Sequence, residues 1–181
     1  SPLTGYEVAS LSDDGALTVR ARGTRTAALG RLTEPLLPGP EGRIDPANQI
    51  TVALPRGALA SLSRASMLAG GNLCAVACEN GGFEVLQFEE AEEIAAGEFR
   101  LGGLLRAQGG TEDAMAAGAS AGALFVLLDG ASEAIELTAA DVGRTLEFRV
   151  QPFGRGRDDG AVVSQDHALG RRSVRPLSPV H

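Results

Sequence analysis

The chain has 181 residues, a length that suits one domain or two small lobes and allows a buried core. It has no Trp, six Phe and one Tyr among 44% hydrophobic residues, so that core must be aliphatic and Ala-rich. A formal net charge of −7 repels phosphate and anionic lipid, which argues against direct nucleic-acid binding, and no apolar run is long enough for a membrane span. Ser1 is neither an initiator Met nor the start of a signal peptide, so the chain reads as a piece of something longer.

In chain order, residues 6–11 and 16–21 are β-prone runs around Ser12-Asp13-Asp14-Gly15, strong turn chemistry that predicts a hairpin. Residues 24–29 predict a third short strand. Prolines and glycines then crowd 34–47, an irregular surface connection anchored by Leu36, Leu37 and Ile44, or a break between two lobes. Residues 48–54 alternate as a strand, and 63–68 predict one or two helical turns stopped by Gly70 and Gly71. Residues 73–78 and 83–88 flank Asn80-Gly81, a second hairpin signal. Cys74 and Cys78 lie about 13 Å apart on a strand, beyond disulfide reach, and lack neighbours for a metal. They read as two small buried hydrophobes.

Glu89, Glu90, Glu92 and Glu93 follow. Paired carboxylates serve a glycosidase when set roughly 5–10 Å apart across a bond, but a local run of acids reads as a solvated face. Residues 97–115 organise the chain. Phe99, Leu101, Leu104 and Leu105 need burial, while paired glycines at 102–103 and 109–110 weaken any regular strand. Thr111 reads as an N-cap, with Glu112 and Asp113 in the first turn of a short helix that Gly118 stops. The stretch predicts strand, bend, turn and short helix: a structural corner, or alternatively a loop that grips a ligand. Arg106 needs acceptors in this apolar setting, turn carbonyls or a carboxylate such as Glu112 after the Gly109-Gly110 reversal, which predicts a structural clasp; the competing reading has Arg106 pointing outward to grip a partner.

Residues 123–128 predict a fully buried strand, 138–143 a capping-box-like turn, 146–150 a strand, and 161–165 a final strand after a glycine- and arginine-rich tip at 154–160. His167 reads as an exposed loop residue; Ser164 and Asp166 are too near it in sequence to build a triad. There is no nucleophile elbow and no phosphate loop. No catalytic, cofactor or metal residue is assigned. The fold class is mainly β, a β-barrel or β-sandwich with hairpins and a few short helical turns. Residues 1–170 form one β-rich module, with a break near 34–47 if it divides into lobes, and 171–181 a linker to a following module.

LLRAQGGTE, residues 104–112, resembles the Leu-Leu-Arg-Gly-Gln-x-Gly-Thr-Glu signature of phage tail-tip proteins, especially the multidomain baseplate (host-specificity) protein of alphaproteobacterial gene transfer agents. GFEVLQFEEAEEI, 82–94, is similar to the segment preceding that signature, and RPLSPVH, 175–181, resembles the junction to a fibronectin-like module. The signature residues here are Leu104, Leu105, Arg106, Gln108, Gly110, Thr111 and Glu112. Ala107 stands where the family has Gly, and would strain the turn if a positive φ is required. The resemblance implies a structural, non-enzymatic tail-tip module without cofactors. It would sit in the particle tail, assembled in the bacterial cytoplasm, in several copies, among other tail proteins and further modules of its own chain. The alternative is a carbohydrate- or receptor-binding module of the same tip, against which the scarcity of aromatic side chains argues.

Overall fold

A computed structural model describes residues 5–12, 15–128, 133–156 and 159–170. The protein is mainly β, 46% strand and 7% helix. The described residues fall into two compact units, one of residues 5–26 with 133–170 and one of residues 27–128. The division therefore falls at 26/27 and past 128, and the proline-rich stretch 34–47 lies wholly inside the second unit. Asp13, Asp14 and the linker segment 171–181 lie outside the described residues.

The first unit is a four-stranded antiparallel sheet in the order β11-β10-β1-β2. Strands β1 (Tyr6–Leu11) and β2 (Leu17–Gly23) form the predicted hairpin, and Ser12 closes it through its N–H and hydroxyl, both donating to the Ala16 carbonyl. β1 pairs along its length with β10 (Thr145–Pro152). β10 pairs with β11 (Val163–Ala168), which lies further along the chain than predicted and takes in His167. One face is tied to residues 136–141. Arg20 binds Ser10, the Glu136 carbonyl and both carboxylate oxygens of Asp141. Half of the capping-box pattern at 138–141 forms: Asp141 accepts from the Thr138 N–H, but the Thr138 hydroxyl donates to the same carboxylate and the Asp141 N–H goes to the Thr138 carbonyl, so a turn closes and no helix follows.

The second unit is a closed barrel. Its strands are β3 (Leu29–Leu32), β5 (Ile50–Ala53), β6 (Leu73–Ala77), β7 (Phe83–Ala95), β8 (Glu98–Gln108) and β9 (Leu124–Leu127). The order β8-β5-β3-β9-β6-β7 returns from β7 to β8, giving six strands with no free edge in the ring. The two-residue β4 (Ile44–Asp45) pairs with β8 beyond the point where β5 leaves it. Residues 24–28 carry no strand; the predicted third strand forms only from Leu29, where β5 and β9 offer partners. In β9 only Phe125 is buried, because a barrel strand has one outward face.

Strand β7 continues through the acidic run, so those glutamates lie on a strand: Glu90, Glu92 and Glu93 are exposed, and the half-buried Glu89 pairs with Arg64 at 2.9 Å. Inward-facing residues of β7 and β8 form the core with Val52, Val76 and Phe125. Leu101 and Leu104, three apart, are both fully buried, so the alternation changes phase between them. Gly103 makes that possible: its φ is +61°, and a Cβ there would sit 3.0 Å from the Glu89 Cβ. The glycine pair thus bends the long hairpin so that it closes the barrel. Two short helices pack outside the ring, α1 (Arg64–Leu68), capped by Ser63, and α2 (Glu112–Ala117).

Candidate functional site: a buried arginine at the end of β8

The end of β8 holds the signature residues. Val85 pairs with Gln108 and Gln87 with Leu105, so two residues of β8, Arg106 and Ala107, stand opposite one of β7. This is a β-bulge, and Ala107 takes φ +55°. The bulge turns Arg106 inward, where its side chain is 0% exposed.

Each of the three guanidinium nitrogens has a partner. Nε and Nη2 donate to the two oxygens of Glu84 at 2.6 and 2.9 Å, a bidentate pair. Nη1 reaches Asp45 Oδ2 at 3.3 Å, and Nη2 also donates to the Leu37 carbonyl at 3.0 Å. The backbone N–H of Ala107 adds a bond to Glu84 Oε1. Four segments, β8, β7, β4 and the loop before β4, therefore meet on one side chain. Glu112 is not among them. It lies in the first turn of α2, half-exposed and outside the cluster, so the predicted Arg106–Glu112 clasp is corrected to Arg106–Glu84–Asp45. Glu112 comes after the Gly109-Gly110 reversal, on α2 and not on the β8 ladder, while the acceptors of Arg106 are supplied by β7, β4 and the loop before it.

Asp45 is positioned by its own turn. Its Oδ1 accepts from the N–H groups of Ala47 and Asn48, and its Oδ2 from the Asn48 side chain. Burial pushes its carboxyl pKa up. The Asn48 and Ala47 hydrogen bonds and the Arg106 charge outweigh that and hold it below the ordinary carboxylate value. Gly39 roofs the cluster: a Cβ there would lie 2.5 Å from Asp45 Oδ2 and 2.6 Å from Arg106 Nη1. Leu36, fully buried, pairs with Ala119 just past α2, so the proline-rich segment is fastened on both sides of the arginine. Leu37, by contrast, is exposed and anchors nothing by its side chain.

The other signature residues hold the same corner. Leu104 is core and Leu105 half-buried; Gln108 Nε2 donates to the Arg106 carbonyl at 2.8 Å. Gly110 turns with φ +79°. Thr111 occupies the N-cap, but with φ −101° and ψ 26° its hydroxyl makes no cap bond. It donates instead to the Gln108 carbonyl and accepts from the Val85 N–H, stitching the helix entry to β7. Gly118 ends α2 with φ +70°. Among the described residues no buried side-chain polar atom lacks a partner, so nothing here is left aimed at a ligand.

The remaining candidates do not converge. Ser164 and Asp166 share one face of β11 and His167 takes the other, since side chains alternate on a strand. Cys74 and Cys78 are buried thiols whose sulfurs donate to the carbonyls of Leu86 and Val76. Burial, with Glu84 nearby, pushes the Cys78 thiol pKa up, which keeps it protonated and unreactive. No group of three or more His, Cys, Asp or Glu among the described residues could hold a metal. No described helix is long and apolar enough to cross a membrane.

Fold and site together define a closed six-stranded β-barrel domain whose buried charges bind its own wall together. The chain belongs to the Rcc01698-like, C-terminal family, whose model matches residues 27–126, almost the whole barrel unit and more than half of the sequence. A search of the curated proteins finds no match to this chain.

Proposed function

We propose that this protein is a structural module of the baseplate or tail tip of a phage-like particle of the gene-transfer-agent kind. It mediates assembly with neighbouring tail proteins and positions host-recognition parts, in the tail of a particle assembled in the bacterial cytoplasm. What carries this reading is the use to which the tail-tip-like signature 104–112 is put: its one arginine is spent wholly on Glu84, Asp45 and the Leu37 carbonyl. A motif that turns its charge inward and satisfies it serves architecture, where a catalytic motif would present a group to a cleft.

The test is localisation in the source cell. An epitope tag on the chromosomal copy should co-sediment with purified particles and be labelled by immunogold at the tail end. Tag found only in soluble fractions, away from particles, rejects the proposal. A glycan array on the purified chain separates scaffold from sugar binder: selective glycan binding would move the reading to the carbohydrate-binding alternative.

A further inference from the structure

Between two buried apolar residues, Leu36 and Ile50, the chain arches over the end of β8. The span, 37–49, has a single buried side chain, and it is the charged Asp45. Ile44 is half-buried; Leu37 and Pro46 are exposed. The span holds its own shape. The bonds that fix the Asp45 carboxylate come from Ala47 and Asn48, and Asn48 also donates to the Pro38 carbonyl at 3.4 Å. It curls round a hollow of about 570 Å³ lined by its own residues from Pro38 to Asn48. Its ties to the ring are slight. They are the two residue pairs of β4 with β8, the Leu37 carbonyl on Arg106 Nη2, and Asp45 Oδ2 on Nη1. At 3.3 Å that last bond is the longest the guanidinium makes.

We propose that residues 37–49 are a latched strap that opens as a unit while the barrel stays folded, with Asp45 as the latch. Few buried apolar contacts and a short ladder characterise a segment that opens at less cost than global unfolding. The charges favour the same behaviour. Glu84 and Arg106 balance each other without Asp45, and their bidentate bond lies within the β7–β8 hairpin. Asp45 is a second carboxylate in a dry site with one cation. Lifting the strap takes that excess charge into water and lets water reach the Nη atoms of Arg106, so no buried polar group is stranded. Lifting it also bares the edge of β8 beyond Leu101, where β5 has already left it. The inference is independent of the tail-tip reading, because it concerns the barrel alone.

Trypsin on the full chain reads the strap. Arg43 is the only basic residue between Arg31 and Arg56, so a fragment beginning at Ile44, identified by its mass, reports a cut inside it. When opening and closing outpace cleavage, the rate of this cut follows the population of the open form. In the native chain the rate should be nearly unchanged by low urea, because the opening exposes little surface. Asp45→Asn keeps an oxygen for the turn bonds but sets an amide against Arg106. It should speed the cut about tenfold or more, as the loss of a hydrogen bond to a charged group implies. Phe125→Leu weakens the core from β9, which pairs with β3 and β6 and supplies no partner to Arg106. The loss is common to the closed and the open strap, so the cut should stay within about twofold while global unfolding moves to lower urea. A cut that Phe125→Leu accelerates in step with global unfolding, or that Asp45→Asn leaves unchanged, overturns the proposal. The wild-type and Phe125→Leu arms decide it even where Asp45→Asn fails to fold.

Discussion

Arg106 is the residue on which the barrel's stability turns. Its ion pairs are dry, so removing the guanidinium strands two buried carboxylates. Arg106→Ala should cost about 3–5 kcal/mol in denaturant unfolding, as for other broken buried pairs. Arg106→Lys should recover only part of this, because an ammonium cannot bridge both Glu84 oxygens and Asp45 at once. Glu112→Ala should stay within about 0.5 kcal/mol, the range of a surface change; a loss as large as that of Arg106→Ala would restore the original partner. Ala107 is the second residue of interest. A left-handed conformation costs an Ala roughly 1–2 kcal/mol, while Gly gives back about 0.4–1 kcal/mol through the freer unfolded chain. Ala107→Gly should therefore stabilise the protein by roughly 0.5 kcal/mol, seen as a higher denaturant midpoint with an unchanged slope. Destabilisation would mean that the half-turn packs its methyl group more than it strains its backbone.

At the scale of elements, the two units are held by the same device used twice: an arginine on a bulged strand grips a carboxylate whose own loop it thereby fixes. In the smaller unit Arg20 emerges from the β2 bulge and Asp141 closes the 138–143 turn. Hydrogen bonds from the Thr138 backbone and hydroxyl, then Arg20, pull the Asp141 carboxyl from 3.8 down to about 2. A depressed carboxylate stabilises the fold in full above its unfolded pKa and loses that contribution as pH falls through its folded one. Wild-type stability should thus fall between pH 3.8 and about 2 by more than that of Asp141→Asn, measured as urea midpoint against pH. Parallel curves would show that Asp141 is not linked to folding. The elements also explain where sequence reasoning slipped. The predicted strand 83–88 stopped short of the acidic run, yet that run is the second half of the thirteen-residue β7, held in place by its pairing with β8 out to Ala95↔Glu98. Cross-strand partners can carry a solvated face through a ladder that local composition would end.

For the whole molecule, the barrel is a self-contained unit. Its core cluster, the three charged members of the Arg106 site and the wrapping segment 34–47 all lie between 27 and 128. Residues 27–128 expressed alone should unfold in one cooperative transition and show the same loss on Arg106→Ala as the full chain. A fragment with no cooperative transition would show that the four-stranded unit is needed to complete it. The sequence by itself determined what local physics controls: the β class, the 12–15 and 80–81 turns, the Gly118 stop, the bent path of 97–115, and that Arg106 needs acceptors. Those follow from residue type and short-range spacing. Only the tertiary structure decided which acceptors Arg106 finds, how the units divide, and that the strands close into a ring. Glu84 and Asp45 stand 22 and 61 residues from Arg106, and nothing in their own neighbourhoods distinguishes them from other acids. They became its partners because closure of the barrel brings β4, β7 and β8 together around one dehydrated cation.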